Sequence, residues 1–271
     1  MTAVDRTFAD LRREGRKALM PFITAGDPDL EFTAALLAEL AARGGNLCEV
    51  GVPYSDPIAD GPVIQSSFTR ALAGKVHVAD IFATLTRATS GLPSPVLTML
   101  SYAIVYRHGP ARFVAQAQEA GIAGAIIPDL PVDEAGELAA LARQREFNLV
   151  QLVTPTTPRE RALRIAESSS GFIYYVSVTG ITGERQDLPA ELLDNVAWLR
   201  ERTPLPICIG FGISRPEHVR QLAPVADGLI VGSAIVRRVA EVRPETRAQV
   251  ICEIGDYVAS LRAALDEVTA R

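Results

Sequence analysis

Short, unbroken apolar runs recur along the chain, each followed by a longer stretch in which apolar residues return at helical spacing. The runs cover residues 18–24, 47–51, 95–99, 124–127, 149–153, 171–177, 206–210 and 228–232, eight in all. Their continuous rather than alternating character marks strands buried on both faces. The amphipathic stretches include residues 30–43, 111–120, 134–145, 159–167, 191–200 and 216–222. Several open on cap or proline signals, at Asp27-Pro28-Asp29, Thr157-Pro158 and Ser214-Arg215-Pro216. Strict strand-then-helix alternation predicts a parallel sheet. Eight such units predict an α/β fold, a (β/α)8 TIM barrel occupying residues 1–271 as one domain. Residues 5–16 read as a short N-terminal helix ahead of the first strand, and residues 251–271 as a C-terminal helix that closes the barrel. An open doubly wound sheet is the competing architecture. It is disfavoured because neither a GxGxxG fingerprint nor a GxxxxGK[ST] phosphate loop is present.

Composition narrows the class further. A length of 271 residues suits one barrel, for which about 250 is typical. With 48% hydrophobic and 22% charged residues the chain is ordinary globular protein. Its net charge of −5 and lack of any Lys/Arg cluster exclude the electrostatic footprint of nucleic-acid binding. No stretch reaches the roughly 18 apolar residues of a membrane span, and the charged N-terminus lacks a signal-peptide core, so a cytoplasmic location is expected. Cys48, Cys208 and Cys252 show no CxxC spacing and read as apolar residues rather than as disulfide or zinc ligands.

In a barrel of this kind the chemistry belongs at the C-terminal ends of the strands. The second strand places an ionisable residue, Glu49, in an otherwise apolar run. Burial there raises a carboxyl pKa toward the range of a general acid, although a salt-bridged structural glutamate is the plainer reading. The loop that follows carries Asp56 and Asp60, either of which is equally at home as a turn former beside Pro and Gly. The segments 53–62 and 178–189 are the long irregular stretches, the usual location of binding loops and lids. Gly210-Phe211-Gly212 after the seventh strand and Gly232-Ser233 after the eighth allow close backbone approach to an anion, which implies a phosphorylated substrate. A tight turn is the alternative for either one alone. The two lysines, Lys17 and Lys75, are poorly placed for a Schiff base. His77, His108 and His218 lie away from strand ends and not at ligand spacing, so metal catalysis is disfavoured. If a carbon–carbon bond breaks here, the substrate itself must accept the electrons.

Three long segments carry a resemblance: residues 21–28 (PFITAGDP), 49–62 (EVGVPYSDPIADGP) and 174–183 (YYVSVTGITG), together with the glycine turns at 210–214 and 232–234. The chain resembles the tryptophan synthase alpha subunit family in register from about residue 8 to residue 236. The resemblance implies a TIM-barrel lyase of tryptophan biosynthesis that cleaves indole-3-glycerol phosphate to indole and glyceraldehyde 3-phosphate without a cofactor or metal. It also implies a tryptophan synthase beta subunit as partner, in a heterotetramer of two alpha and two beta subunits. Carried over by position, Glu49 is the acid/base, Asp60 the carboxylate that binds the indole N–H, and Thr182 the loop residue that bonds the aspartate on closure. Gly183, Phe211, Gly212, Gly232 and Ser233 correspond to the phosphate cradle and its surroundings. Phe22, Met99, Ile126, Val153 and Tyr174 correspond to the pocket around the indole and the substrate chain; without the resemblance all five read as core.

The chain departs from the family pattern after its third strand, where Ser101, Ala103 and Ile104 replace the usual Tyr, Asn and often Pro. These changes imply a weaker beta-subunit contact or a larger pocket. They leave open a stand-alone lyase that releases free indole and a mainly regulatory subunit of low activity. An isomerase-type phosphate barrel would leave the 53–62 motif unexplained.

Overall fold

The computed structural model describes residues 1–176, 190–210 and 212–269. Thr182, Gly183 and Phe211 lie outside the described residues. The chain begins with α1 (Ala3–Arg13), then β1 (Ala18–Thr24), α2 (Leu30–Ala42), β2 (Cys48–Gly51), α3 (Pro62–Ala73), α4 (Val78–Thr89) and β3 (Val96–Met99). It continues through α5 (Tyr102–His108), α6 (Pro110–Glu119), β4 (Ile122–Ile126), α7 (Gly136–Gln144), β5 (Asn148–Val153), α8 (Arg159–Ser168) and β6 (Ile173–Val176). The last part holds α9 (Ala190–Arg200), β7 (Ile207–Gly210), α10 (Pro216–Leu222), β8 (Gly228–Val231), α11 (Ser233–Val239), a 3-10 turn (Pro244–Thr246) and α12 (Arg247–Thr269). The eight strands pair in sequence order, all parallel, and β8 returns to β1 to close the barrel. No helix among the described residues is long and apolar enough to cross a membrane.

Closure explains the unbroken apolar runs, because side chains alternate between the barrel interior and the layer under the helices and both environments are dry. Leu47, Leu97, Ile126, Val150, Phe172, Tyr174, Cys208 and Ile230 form the interior set. Leu19, Ile23, Val50, Leu149, Val153, Ile173 and Ile209 form part of the outer set, packed with the helices. Pairing aligns Phe22 with Glu49 and Glu49 with Leu97. Glu49 therefore shares the inward parity of Leu47, two residues before it.

The N-terminal ends of the strands are covered by α1, whose Val4, Phe8 and Leu11 join the interior cluster. The Phe8 and Phe172 rings lie 5.8 Å apart. A capping box starts this helix, with the Thr2 hydroxyl accepting from the Asp5 N–H and the Asp5 carboxylate accepting from the Thr2 N–H. At the other end of the chain, α12 anchors itself through buried Arg262. That guanidinium donates to the Lys17 carbonyl (2.8 Å) and to Asn46 Oδ1 (3.1 Å).

Candidate active site

Glu49 is fully buried, and neither of its carboxylate oxygens has a hydrogen-bond partner among the described residues. Burial without a compensating cation disfavours the charge and pushes its pKa up to about 8. At neutral pH this side chain is mostly protonated, and no acceptor among the described residues competes for its proton.

Asp60 reaches the same region from the loop between β2 and α3. Gly61 caps α3, and Pro62 follows at its first turn, where a missing N–H is harmless. The loop is held from within: the Asp60 N–H donates to the Pro57 carbonyl (3.1 Å), and the Gln65 amide donates to the Asp60 carbonyl (2.8 Å). Beneath it, α3 is tied to β1 by the Thr24–Ser67 hydroxyl pair (2.7 Å). Arg70 on α3 clamps the buried Asp27 carboxylate at 3.0 and 2.6 Å. Asp60 itself is half-buried and accepts from the Tyr54 hydroxyl at 3.3 Å. Burial raises its carboxyl to about 6, helped by the Asp129 charge and opposed by the Tyr54 hydrogen bond. The Tyr54 ring is propped against Phe68, centroids 5.3 Å apart.

A cleft at the C-terminal mouth of the barrel gathers Phe22, Asp60, Met99, Tyr174, Gly212, Gly232 and Ser233, and adds Gly61, Ile64 and Ile230. Glu49 lies below it, flanked on the sheet by Phe22, which lines the cleft, and by Leu97. Buried Tyr174 feels both carboxyls: burial, Glu49 and then Asp60 push its phenol well above the ordinary range. Ile126 belongs to the barrel interior but does not line the cleft. Val153, expected in the pocket, lies elsewhere. It packs in the layer beneath the helices, and its neighbour Leu152 supplies the inward side chain of β5, because alternate residues of a strand face opposite ways.

The glycines divide into two kinds. A Cβ on Gly51 would come within 2.5 Å of the Phe22 ring, and one on Gly210 within 2.5 Å of the Tyr174 hydroxyl, so packing requires both. A Cβ on Gly232 would make only ordinary contact with Phe22, at 3.6 Å. Packing thus leaves room at Gly232, beside the cleft and ahead of α11. Gly212 has φ of +79°, a backbone conformation that favours glycine.

Tyr54, Ile64 and Asp129 escape sequence reasoning. Asp129 follows β4, yet its Oδ2 accepts from the Ser101 hydroxyl at 2.6 Å and its Oδ1 from the Tyr102 N–H at 2.8 Å. Ser101 also caps α5, accepting from the Ala103 N–H at 3.2 Å. The residue that departs from the family pattern is therefore a structural tie between two loops of the mouth. No group of three or more His, Cys, Asp or Glu side chains able to hold a metal occurs among the described residues.

A closed parallel barrel with a cleft at its mouth and a buried carboxyl that has no partner among the described residues has the layout of a TIM-barrel enzyme. The family model described as tryptophan synthase alpha chain matches residues 8–264. A tryptophan synthase alpha chain from Rhodopirellula baltica is 56% identical over 276 residues, covering 98% of this chain and 99% of that one. The crystal structure of the alpha chain from Legionella pneumophila superposes with a TM-score of 0.87 at 32% identity, covering 99% and 98%. A chain of the tryptophan synthase complex from Pyrococcus furiosus gives 0.82 at 33% identity, covering 91% and 98%. The chain belongs to the tryptophan synthase alpha chain family. It is a carbon–carbon lyase of tryptophan biosynthesis.

Proposed function

We propose that Glu49 and Asp60 divide the chemistry by which this chain cleaves indole-3-glycerol phosphate to indole and glyceraldehyde 3-phosphate. Glu49 is protonated at neutral pH and delivers its proton to C3 of the indole ring. The ring nitrogen then carries developing positive charge, and the Asp60 carboxylate accepts its N–H and stabilises that charge. The Glu49 carboxylate next removes the proton of the hydroxyl on the carbon bonded to C3. As that oxygen becomes a carbonyl, the carbon–carbon bond breaks and its electron pair returns to the ring. Indole and the aldehyde are released, and Glu49 is again protonated. Two carboxyls in different surroundings thus hold different protonation states at one pH.

Gly212, Gly232 and Ser233 hold the phosphate, while Phe22, Met99 and Tyr174 contact the indole side. Thr182, Gly183 and Phe211 complete the site by analogy with the family. A beta subunit is the natural receiver of indole, and it would dock at the barrel mouth. Ile58, in the loop between β2 and α3 that carries Asp60, is 89% exposed.

The observation that carries this reading is the complete burial of Glu49 without a hydrogen-bond partner. The test is the Glu49→Gln variant of the purified chain, assayed for indole release with and without a beta subunit. Cleavage should vanish while substrate binding persists, because the variant keeps the shape and loses the proton. Activity equal to the parent would remove Glu49 from the mechanism. Stimulation of the parent by the beta subunit supports the complex, and a rate indifferent to it supports a stand-alone lyase.

A further inference from the structure

The opposite end of the barrel holds a second concave site. A cavity of about 150 Å³ opens between α1 and the residues that precede β1, β7 and β8. Phe8 and Leu11 give it an apolar side, and Arg12, Lys17 and Asp227 a charged one. The Lys17 side chain is 24% exposed, and its ammonium stands 3.9 Å from Asp227 Oδ1 and makes no hydrogen bond among the described residues. Asp227 is already occupied: its Oδ2 accepts from the Ile207 N–H at 2.9 Å and from Arg200 at 3.1 Å. Arg12 has no hydrogen bond or ion pair through its guanidinium among the described residues, and its charge acts on Lys17.

The charge at this spot is unbalanced. Lys17 and Arg200 both face the Asp227 carboxylate, and Arg12 adds a third positive charge that acts on Lys17, so among these described residues three cations meet one anion, a surplus of two positive charges. Arg16, also on the wall, is matched by Glu14 and Asp266, each at 3.3 Å, and adds nothing to the surplus. Burial, with Arg200 and Arg12 close by, pushes the Lys17 ammonium below its ordinary range against the pull of Asp227. A half-buried cation with three donors and no acceptor is an unfinished site.

We propose that this cavity binds a compact dianionic oxyanion, inorganic phosphate or sulfate, held by Lys17 and Arg12. A dianion cancels the local surplus, and its several oxygens serve both a point-like ammonium and a guanidinium. Lys17 belongs to the segment entering β1 and Arg12 to α1, so the bound ion links the N-terminal helix to the barrel floor. Any ion that binds only the folded chain stabilises it in proportion to its occupancy. The site is separate from the mouth cleft at the other end of the strands, and it does not depend on the assignment of Glu49.

Backbone amide NMR of the full chain, titrated with sodium phosphate at constant ionic strength, tests the proposal residue by residue. Saturable shifts are expected at Gly15, Lys17, Ala18 and Asp227, distinct from any at Gly232 and Ser233. Lys17→Gln and Arg12→Gln should each weaken the effect at the floor at least tenfold and leave the response of Gly232 and Ser233 as in the parent. Acetate at matched ionic strength should give no saturable shift at the floor residues. Arg12 is exposed on α1, so its variant decides the matter if Lys17→Gln does not fold. Absence of saturation at the floor, an affinity unchanged by the Arg12 substitution, or equal binding of acetate would each overturn the proposal.

Discussion

Replacing Glu49 by Gln keeps the shape of the side chain and removes a proton-binding group, and burial fixes how the stability difference must vary with pH. In the folded chain Glu49 titrates at about 8, against an ordinary value of 4.5. Below 4.5 the group is protonated in both states. Between these values the unfolded chain releases the proton while the folded chain keeps it, so folding must take up a proton and the parent loses stability as pH rises. Above 8 both states are ionised and the loss is complete. At about 1.4 kcal/mol per pH unit, the whole interval corresponds to about 5 kcal/mol, with about 3 kcal/mol already lost at pH 7. That is a large share of the roughly 5–15 kcal/mol that holds a domain folded. Gln does not titrate, so Glu49→Gln should gain about 4 kcal/mol on the parent between about pH 5 and pH 8.5. Urea denaturation of both proteins at about pH 5, 7 and 8.5, with the m-values compared, measures this directly. A stability difference that stays constant across the range would refute the reasoning. Glu49 would then ionise as an ordinary carboxyl, and no proton would be poised beneath the cleft.

Tyr54→Phe removes the hydroxyl that stabilises the Asp60 carboxylate, so Asp60 should titrate above its present value of about 6. The acidic limb of the kcat/KM profile should move to higher pH, while the alkaline limb set by Glu49 stays near 8; an unmoved acidic limb would mean that Asp60 does not define it. Gly232→Ala places a methyl group where packing tolerates one, so its unfolding free energy from urea denaturation should match the parent within about 0.5 kcal/mol. Its KM for the phosphorylated substrate should rise about tenfold, a loss of about 1.4 kcal/mol of binding, and an unchanged KM would put the phosphate elsewhere. Ser101→Ala removes the α5 cap and the tie to Asp129, and should lower stability by about 1–2 kcal/mol in the same denaturation assay.

The strands were legible because burial on both faces writes each one as an unbroken apolar run, and all eight observed strands fall within or largely overlap the expected runs. The same property hid which way each residue points. With both sides apolar, nothing in the sequence separates Leu152 from Val153, and the side chain expected in the pocket packs under the helices instead. The helices α3, α5 and α11 open directly on the loops after β2, β3 and β8, so proline, serine and glycine at their starts mask the helical spacing behind them. Glu49 stood out as an ionisable residue in an apolar strand. Tyr54 and Asp129 did not stand out, since their contacts with Asp60 and Ser101 depend on how separate loops meet at the mouth. Ser101 read as a lost aromatic ring, whereas its small hydroxyl both caps a helix and reaches another strand's loop.

Three carboxyls near the barrel mouth show why burial alone does not mark an acid for catalysis. Asp27 is 4% exposed, nearly as hidden as Glu49, but the Arg70 guanidinium meets both of its oxygens in an ion pair that ties the end of β1 to α3. A charge so paired belongs to the architecture, and removing its partner would leave an uncompensated ion in the interior. Asp60 is half-buried and holds one tyrosine hydroxyl, which leaves it ionised over most of the physiological range. Glu49 has neither a cation nor a hydrogen-bond donor among the described residues, and burial favours its protonated form. Leaving polar atoms buried without partners costs about 1–3 kcal/mol, and the fold bears that cost at the strand neighbour of Phe22, which lines the cleft. What separates the proposed acid from these two carboxylates is the absence of a partner among the described residues, and supplying one tests the proposal from the opposite direction to Glu49→Gln. A Leu97→Lys substitution next to Glu49 would convert it into an Asp27-like anion, abolishing the raised titration and the cleavage together.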